Sequence, residues 1–580
     1  MGDRSRAMNR NFEEIAAGTL AEALDKLKAA GGVPDDFEPK IVIERPKNPD
    51  FGDFGCALPM LMCKATRTAP AICGRNLMDK IQAPPGIFDE ISFAPPGYIN
   101  FRVSPTAWFE GLQAVCDIPD VGHGQKVLLE FVSANPTGPL HAGHARGAVL
   151  GDIVARLMKV AGYEVETEYL LNDVGNQMAM LGLSIFYRGR QALGLASEVD
   201  FPENGYRGDY IREIAARFVS GQEGRDFCAA SYPEGAGRDD NPAVRFAAGL
   251  LTEEIRKTLD CLAIRFDHWF SERSLHDSGR VAFLVNRLLE SGAAYRTDDG
   301  AILFSMEGDE DGEDRVVVRG NGVPTYFAAD IAYHDEKARR GYDRLINIWG
   351  ADHHGYIPRV RAAMGALGHS PSMLDVILVQ MVTLTRNGEV VPMGKRLGRF
   401  VTLQDLVDEV GADAVRFIYI MRRADAQMEF DLELAKQKTM DNPVYYVQYG
   451  HARVASIVRK ATGMGYQVPS FSPDLLSSLT LPEELALVKD LCRFPGIVAQ
   501  SAANCEPHHV CFFLMELCKG FHSYYTKYKS SERVVSDDRD KTLARLYLVS
   551  RIKSVLGYGL GLLGVTAPEE MRCEGTDVES

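Results

Sequence analysis

The segment Glu130–His144, with the sequence Glu-Phe-Val-Ser-Ala-Asn-Pro-Thr-Gly-Pro-Leu-His-Ala-Gly-His, constrains the fold more than any other in the chain. The apolar run Val127-Leu128-Leu129 before it reads as a buried strand, and Ala145–Met158 after it carries apolar residues at helical spacing. Pro136, Gly138 and Pro139 exclude regular structure between the two. The order is therefore strand, tight loop, and a helix that begins near His141. A helix N-terminus so placed presents unpaired N–H groups and a partial positive charge, which suits phosphate. His141 and His144 are three apart and share one face of its first turn. Two imidazoles there can hold a nucleotide triphosphate while charge builds on it.

His141-Ala142-Gly143-His144 resembles the HIGH motif of class I aminoacyl-tRNA synthetases. The blocks Tyr169–Gln177, Thr325–His334, Trp349–His354, Asn442–Arg453 and Leu562–Met571 narrow the resemblance to arginyl-tRNA synthetases of bacterial type, in family order over nearly the whole chain. The resemblance implies a multidomain α/β protein. A Rossmann-type catalytic domain of the class I kind would be joined to an α+β N-terminal domain that binds the tRNA D-loop and an all-α C-terminal anticodon-binding bundle. The expected boundaries are 1–115 for the N-terminal domain and 120–376 for the catalytic domain, with a helical insertion over about 184–267. Residues 377–439 then carry the second catalytic loop and stem helices, 440–571 the bundle, and 572–580 a disordered tail. Within the first unit the pattern predicts a helix over Phe12–Ala30 and a strand over Lys40–Glu44. The stretch Tyr232–Pro242, rich in Gly, Pro and Asp, predicts a mobile tip on the insertion.

Length and composition are compatible with this. A chain of 580 residues accommodates three or four domains, and 46% hydrophobic with 25% charged residues is ordinary for soluble globular protein. No run approaches the ~20 apolar residues that span a bilayer. Met1–Arg10 is polar and lacks an apolar signal core, and the eleven Cys are scattered without paired spacing, so a reduced, cytoplasmic protein is expected. The net charge of −15 stands against nucleic-acid binding only on average; Asp441–Leu560 holds 14 Lys and Arg against 11 Asp and Glu. That mild local surplus permits tRNA binding without demonstrating it.

The family's second catalytic loop, written KMSKS in class I enzymes, is Pro392-Met393-Gly394-Lys395-Arg396 here. Pro392 replaces the first lysine and Gly394 the serine, which leaves Lys395 as the retained cation. Some arginyl enzymes with an altered loop carry a compensating lysine just before the HIGH motif, where this chain has Gly138. Arg396 and Arg399 are candidates for the missing charge. Carried over residue by residue, the resemblance makes His141, His144 and Lys395 catalytic. It places Gly143, Gly350, Asp352, His353, Met381, Val382 and Lys395 around ATP, which enters as its Mg2+ complex. Glu130, Ser133 and Asn135 would hold the amino acid's α-groups. Glu272, Tyr326 and Asp330 would meet its guanidinium, a planar fork that pairs with carboxylates. Tyr98 and Asn100 would touch a D-loop base, and Tyr449 and Arg453 splayed anticodon bases.

Blander readings exist for each. Either histidine can cap a helix, Asp330 can pair on a surface, and tyrosine-rich helices are often packing seams. Of His353 and His354, one is expected to face the nucleotide and the other to pack. Cys505, His508, His509, Cys511 and Cys518 are metal-ligand types, yet Cys511–Cys518 reads as an apolar helix with Cys as small core residues. No tightly bound protein metal is expected.

The function implied is ATP-dependent ligation of L-arginine to its tRNA through an arginyl-adenylate, with tRNA bound before activation and transfer first to the terminal 2′-OH. The partners would be tRNA(Arg), L-arginine and ATP, with no membrane and a monomeric enzyme. No block resembles an editing domain. A cysteinyl-tRNA synthetase-like enzyme would need thiolates for zinc near the HIGH loop, and Lys126–Asp173 contains no Cys. A non-catalytic RNA-binding relative would account for the altered loop but not for His141, His144, Asn135, Tyr326 and Asp330.

Overall fold

Five parallel strands form the central sheet of the computed structural model, which describes residues 11–233, 239–306, 312–391 and 401–571. Across the sheet they run Leu374–Val379, Arg344–Gly350, Lys126–Glu130, Glu164–Leu171, His268–Ser271. In chain order the first strand, Lys126–Glu130, lies at the centre with Arg344–Gly350 on one side and Glu164–Leu171 on the other, both parallel to it. This is the doubly wound arrangement, and ligands bind beyond the carboxyl ends of the strands where the winding reverses. Val127, Leu129, Leu345 and Ile346 are fully buried, as strands covered by helices on both faces require.

Two excursions leave this sheet. Where a helical insertion over about 184–267 was expected, helices Asn176–Ala192, Asp209–Ser220, Gln222–Ala229 and Pro242–Cys261 pack on a core of their own that includes Met178, Ile185, Ile211, Phe218 and Leu251. Of its expected mobile tip, residues 234–238 lie outside the described residues. The flanks are held: the Tyr232 hydroxyl donates to the Ala179 carbonyl at 3.2 Å, and Asn241 caps the helix that follows. A second excursion was not foreseen. Ala294–Arg296, Ile302–Phe304 and Arg315–Val318 form a small antiparallel sheet, so residues 120–376 do not simply alternate strand with helix.

In the N-terminal part, helix Phe12–Ala29 accompanies an antiparallel sheet ordered Phe54–Cys56, Tyr98–Val103, Phe88–Ala94. The expected strand over Lys40–Glu44 is corrected to a single bridge, Glu44 to Gly55. Ile41 and Ile43 do pack against the core while Val42 is 48% exposed, so the alternation is real. Pro46, unable to donate, ends the ladder before it can grow.

After the central sheet, strand Val382–Arg386 turns at Asn387 and Gly388, both at positive φ (54° and 80°), into Glu389–Val390. An Asn-Gly pair is the sequence of a tight hairpin turn. The chain then reaches residues 392–400, outside the described set, and returns at Val401. Four long helices, Pro443–Gly463, Pro482–Asn504, His508–Tyr528 and Arg539–Leu562, build the C-terminal bundle around Val447, Val454, Leu491, Leu514 and Leu556, all fully buried. Among the described residues no helix is long and apolar enough to cross a membrane.

Candidate active site

At the carboxyl end of Lys126–Glu130 the chain makes a turn that regular structure cannot provide. Val132 and Ser133 take left-handed backbone, at φ 67° and 42°. For a β-branched residue that is a rare conformation, and such strain of about 1–3 kcal/mol persists where surrounding structure over-determines it. A short 3-10 turn, Ala142–His144, precedes the helix Ala145–Val160, so helical structure begins one residue after His141. The two imidazoles stack, centroids 3.7 Å apart and planes 27° from parallel. His141 Nδ1 accepts from the Gly143 N–H and His144 Nδ1 from the His141 N–H, each at 3.1 Å. In a neutral ring this leaves the proton on Nε2.

The unpaired amides expected here are not open. The Ala142 N–H donates to the Val401 carbonyl at 3.1 Å, that of Gly143 to His141 Nδ1, and that of His144 to the His141 carbonyl at 2.9 Å. The returning chain takes the first of these and is held there, with His141 bridging Thr402 and the Leu403 N–H donating to the Leu140 carbonyl at 2.8 Å; His141 itself takes the other two. Phosphate donors at this turn are therefore imidazole N–H groups rather than backbone amides.

His141, Gly143, His144, Gly350, Asp352, Met381 and Val382 line one cleft of about 440 Å³, with Val132 and Trp349. A side chain at Gly350 would collide with the Asp352 carboxylate, 2.4 Å from where its Cβ would stand. Met381 is 79% exposed and Val382 buried. His353 does not line the cleft; it is exposed, 3.8 Å from Asp352, with its ring 6.2 Å from Trp349. His354 is exposed as well, so neither histidine packs in the core, against expectation. Both sit on the short turn Ala351–Tyr356, which follows the strand Arg344–Gly350. Lys395, Arg396 and Arg399 fall outside the described residues; the flanks of their segment, Val391 and Val401, are tied to Leu384 and Ala142.

Beside the cleft lies a group of acids. Glu130, 4% exposed, accepts from the Ser133 hydroxyl at 2.8 Å and from Lys337 on its other oxygen. Asp330 accepts from the Tyr356 hydroxyl. The protein packed round Asp330 pushes its carboxyl up to about 7, and the charges of Glu272 and Glu130 add to that while Tyr356 opposes it. Glu272, 7% exposed, has His276 3.6 Å away. Asp330 feels both other carboxylates, Glu130 has Lys337 as its cation, and Asp330 driven toward neutrality describes a site short of a further cation. Tyr326 opens the helix Tyr326–Arg339 at 52% exposure, one turn before Asp330 on the same face. Asn135 is fixed between Gln177 and Asn172, at 2.8 and 3.0 Å.

Four supporting residues escaped the sequence reading. Lys337 Nζ holds Glu130 and donates to Asn347 at 2.9 Å; Asn347 meets His334 Nε2 at 2.8 Å, and His334 Nδ1 meets the Asp330 carbonyl at 2.8 Å. Desolvation holds His334 down to about 3, so it stays neutral. Tyr356 is the second, through Asp330. Arg146, 1% exposed, donates to the carbonyls of Gln380, Arg423 and Ala426 and so sets the backbone beside Met381. Tyr210, from the insertion, donates to the Thr137 carbonyl at 2.9 Å and lies 3.0 Å from where a Cβ on Gly138 would stand. A side chain there, lysine included, would displace it. The only sequence signal was Asp330, His334 and Lys337 at spacings of four and three, polar residues on one face of one helix.

The residues expected to touch RNA lie apart from this centre. Tyr98 and Asn100 line a cleft of about 450 Å³ with Arg45, Lys47 and Phe51, Asn100 itself being 5% exposed. Tyr449 lies nearly parallel to Tyr445, and Arg453 sits over the rings of Tyr449 and Tyr525 at 5.7 and 4.8 Å. Their neighbours Gln448 and His451 bind Asp413, Thr566 and Pro568 at the junction with the catalytic unit.

Comparison with known proteins accounts for all three regions. Residues 14–103 match the arginyl tRNA synthetase N terminal domain, 112–454 the class I (R) tRNA synthetase catalytic domain and 447–571 the DALR anticodon binding domain. The arginine–tRNA ligase of Desulfosudis oleivorans is 46% identical over 97% of this chain and all of that protein. That of Syntrophotalea carbinolica is 45% identical over 92% of this chain and 95% of its own. Among solved structures, the Campylobacter jejuni arginyl-tRNA synthetase superposes with a TM-score of 0.70 at 35% identity, covering 81% of this chain and 100% of that one. The Thermus thermophilus enzyme reaches 0.74 at 23% identity, over 96% and 100%, which speaks to the fold. A stacked histidine turn at the switch point, an acid hole beside it and matches across three domains leave one family: the chain belongs to the arginyl-tRNA synthetases.

Proposed function

We propose that this protein charges tRNA(Arg), converting ATP, L-arginine and tRNA(Arg) to AMP, diphosphate and L-arginyl-tRNA(Arg) through an arginyl-adenylate. The observation that carries the reading is the pair of acids Asp330 and Glu272, with Asp330 driven toward neutrality, next to the His141–His144 turn. The arginine guanidinium supplies the missing positive charge, bidentate on the acids, while Ser133 and Asn135 orient the α-amino and α-carboxylate groups. The carboxylate then attacks the α-phosphorus of Mg2+-bound ATP and diphosphate leaves. Nε2–H groups of His141 and His144 donate to phosphate oxygens as charge develops there, a preorganised stabilisation that needs no rearrangement at the moment of reaction. Lys395 completes the phosphate grip from the second loop. Gly350, Asp352, Met381 and Val382 hold the nucleoside, and His353 approaches it from the edge. The 2′-OH of the terminal adenosine attacks the adenylate carbonyl in the second step.

RNA contacts follow from chemistry suited to unpaired bases: Tyr98 and Asn100 in the N-terminal cleft, Tyr449 and Arg453 in the bundle. The enzyme acts as a monomer in the cytoplasm. A site with several buried polar groups rejects amino acids that leave them unpaired by about 10⁴–10⁵, so no proofreading step is required. The test is aminoacylation of purified tRNA with labelled arginine beside the other amino acids. Charging by arginine alone supports the reading; charging by cysteine, or none at all, overturns it. For the second loop, Lys395→Ala should slow ATP–diphosphate exchange by about 10²–10³, and a change below about threefold removes Lys395 from the mechanism.

A further inference from the structure

We propose that Glu506, His508 and His509 form a binding site for one divalent transition metal, with Zn2+ the best match, where the C-terminal bundle meets the catalytic unit. One ligand atom from each of the three lies within 4.8 Å of the other two. The corner that presents them is fixed by backbone. Helix Pro482–Asn504 ends in a left-handed residue, Cys505 (φ 56°), the Glu506 N–H returns to the Ser501 carbonyl at 2.9 Å, and Pro507 leads directly into helix His508–Tyr528. Glu506 Oε2 and His509 Nε2 are 3.3 Å apart, and the two imidazoles face each other with centroids 4.1 Å apart.

A Glu–His ion pair on the surface explains Glu506 and His509 but not His508. That side chain is 7% exposed, and among the described residues its ring makes no hydrogen bond; its contacts are the rings of His509 and Phe512. Its ring nitrogens are spent on no protein hydrogen bond and are not sealed from solvent, and an imidazole lone pair is what a metal ligand offers. Two neutral imidazoles and a carboxylate are a zinc donor set, with the exposed side of His509 leaving room for water as a fourth ligand. The nitrogen content disfavours Mg2+ and Ca2+, which take oxygen. The nearby thiols do not join: Cys511 and Cys518 are fully buried in the bundle core.

The location gives the ion a consequence. Arg423 and Asp425, which pair with each other, face His508. The carbonyl of Arg423 accepts from Arg146, and that of Ala424 from the Gln380 N–H beside the nucleotide cleft. A bound ion would tie the end of helix Pro482–Asn504 to the start of helix His508–Tyr528, at the place where Arg423 and Asp425 approach His508.

The test uses the full chain without a histidine tag. Isothermal titration with Zn2+ should give one equivalent at micromolar concentration, and the double variant Glu506→Gln/His509→Ala should bind about tenfold more weakly or worse. Both positions reach the surface, so the variant keeps its fold, which circular dichroism checks. Co2+ in place of Zn2+ should show ligand-field bands without thiolate charge transfer. Failure to bind stoichiometrically, equal affinity in the double variant, or a thiolate spectrum would each overturn the proposal.

Discussion

At the scale of single residues, Asp330 makes the sharpest claim. With its carboxyl raised to about 7 in the absence of substrate, it is partly protonated at neutral pH, and a guanidinium binds the ionised form. Arginine affinity should therefore rise as pH increases toward about 7 and level off above it, with proton release on binding below that point. Calorimetry in buffers of different ionisation enthalpy reads this directly, and pH-independent affinity between 6 and 8 would remove Asp330 from the guanidinium site. Lys337 makes a second claim. It is fully buried against Glu130, and taking away one partner of such a pair strands the other. Lys337→Met should destabilise the protein by about 3–5 kcal/mol, measured by urea unfolding; a loss under about 1 kcal/mol would mean that water or Ser133 already compensates Glu130. Neither lysine nor its role was legible beforehand. A lysine near a helix end reads as a solvated charge, and only the fold shows that it points inward.

At the scale of elements, what could be read was what is local. Pro136, Gly138 and Pro139 dictate the loop before the histidine turn, whatever else the chain does. The insertion and the four bundle helices carry their own 3.6-residue pattern. Misreadings arose where a distant segment decides. Lys40–Glu44 alternates like a strand but finds only Gly55 as partner. The amides at the histidine turn look open until Val401 returns to take that of Ala142 and His141 itself takes those of Gly143 and His144. The acids of the site come from Glu130, Glu272 and Asp330, far apart in sequence, so their meeting was legible only through the resemblance and not from local pattern. Tyr210 tests how the insertion supports the loop. Tyr210→Phe removes one hydrogen bond to Thr137, worth about 0.5–1.5 kcal/mol, and should raise the KM for ATP a few-fold while the melting temperature hardly moves. An unchanged KM would make that contact packing alone.

For the whole molecule, two titrations oppose each other on one helix. His334, held neutral to about 3, binds protons more readily when unfolded, so its contribution to stability is lost as pH falls below 6.5. Asp330, raised to about 7, binds protons more readily when folded, so its contribution runs the other way over the same window. In Asp330→Asn the opposing member is gone, and unfolding free energy should fall more steeply between pH 6.5 and 4 than in the wild type, by up to about 1.4 kcal/mol per pH unit. Parallel curves would show that the two groups do not titrate as assigned. Arg416 ties the domains: 1% exposed, it donates to the carbonyls of Leu563 at 2.8 Å and Leu262 at 2.6 Å and pairs with Asp152. Those partners belong to the end of the bundle, the last turn of the insertion, and the helix that begins at the histidines. Asp152 stands eight residues beyond His144, roughly 12 Å along a stiff rod. One guanidinium thus works as a rivet through three parts, and any displacement of the bundle would be felt along the same rod that carries the histidine turn.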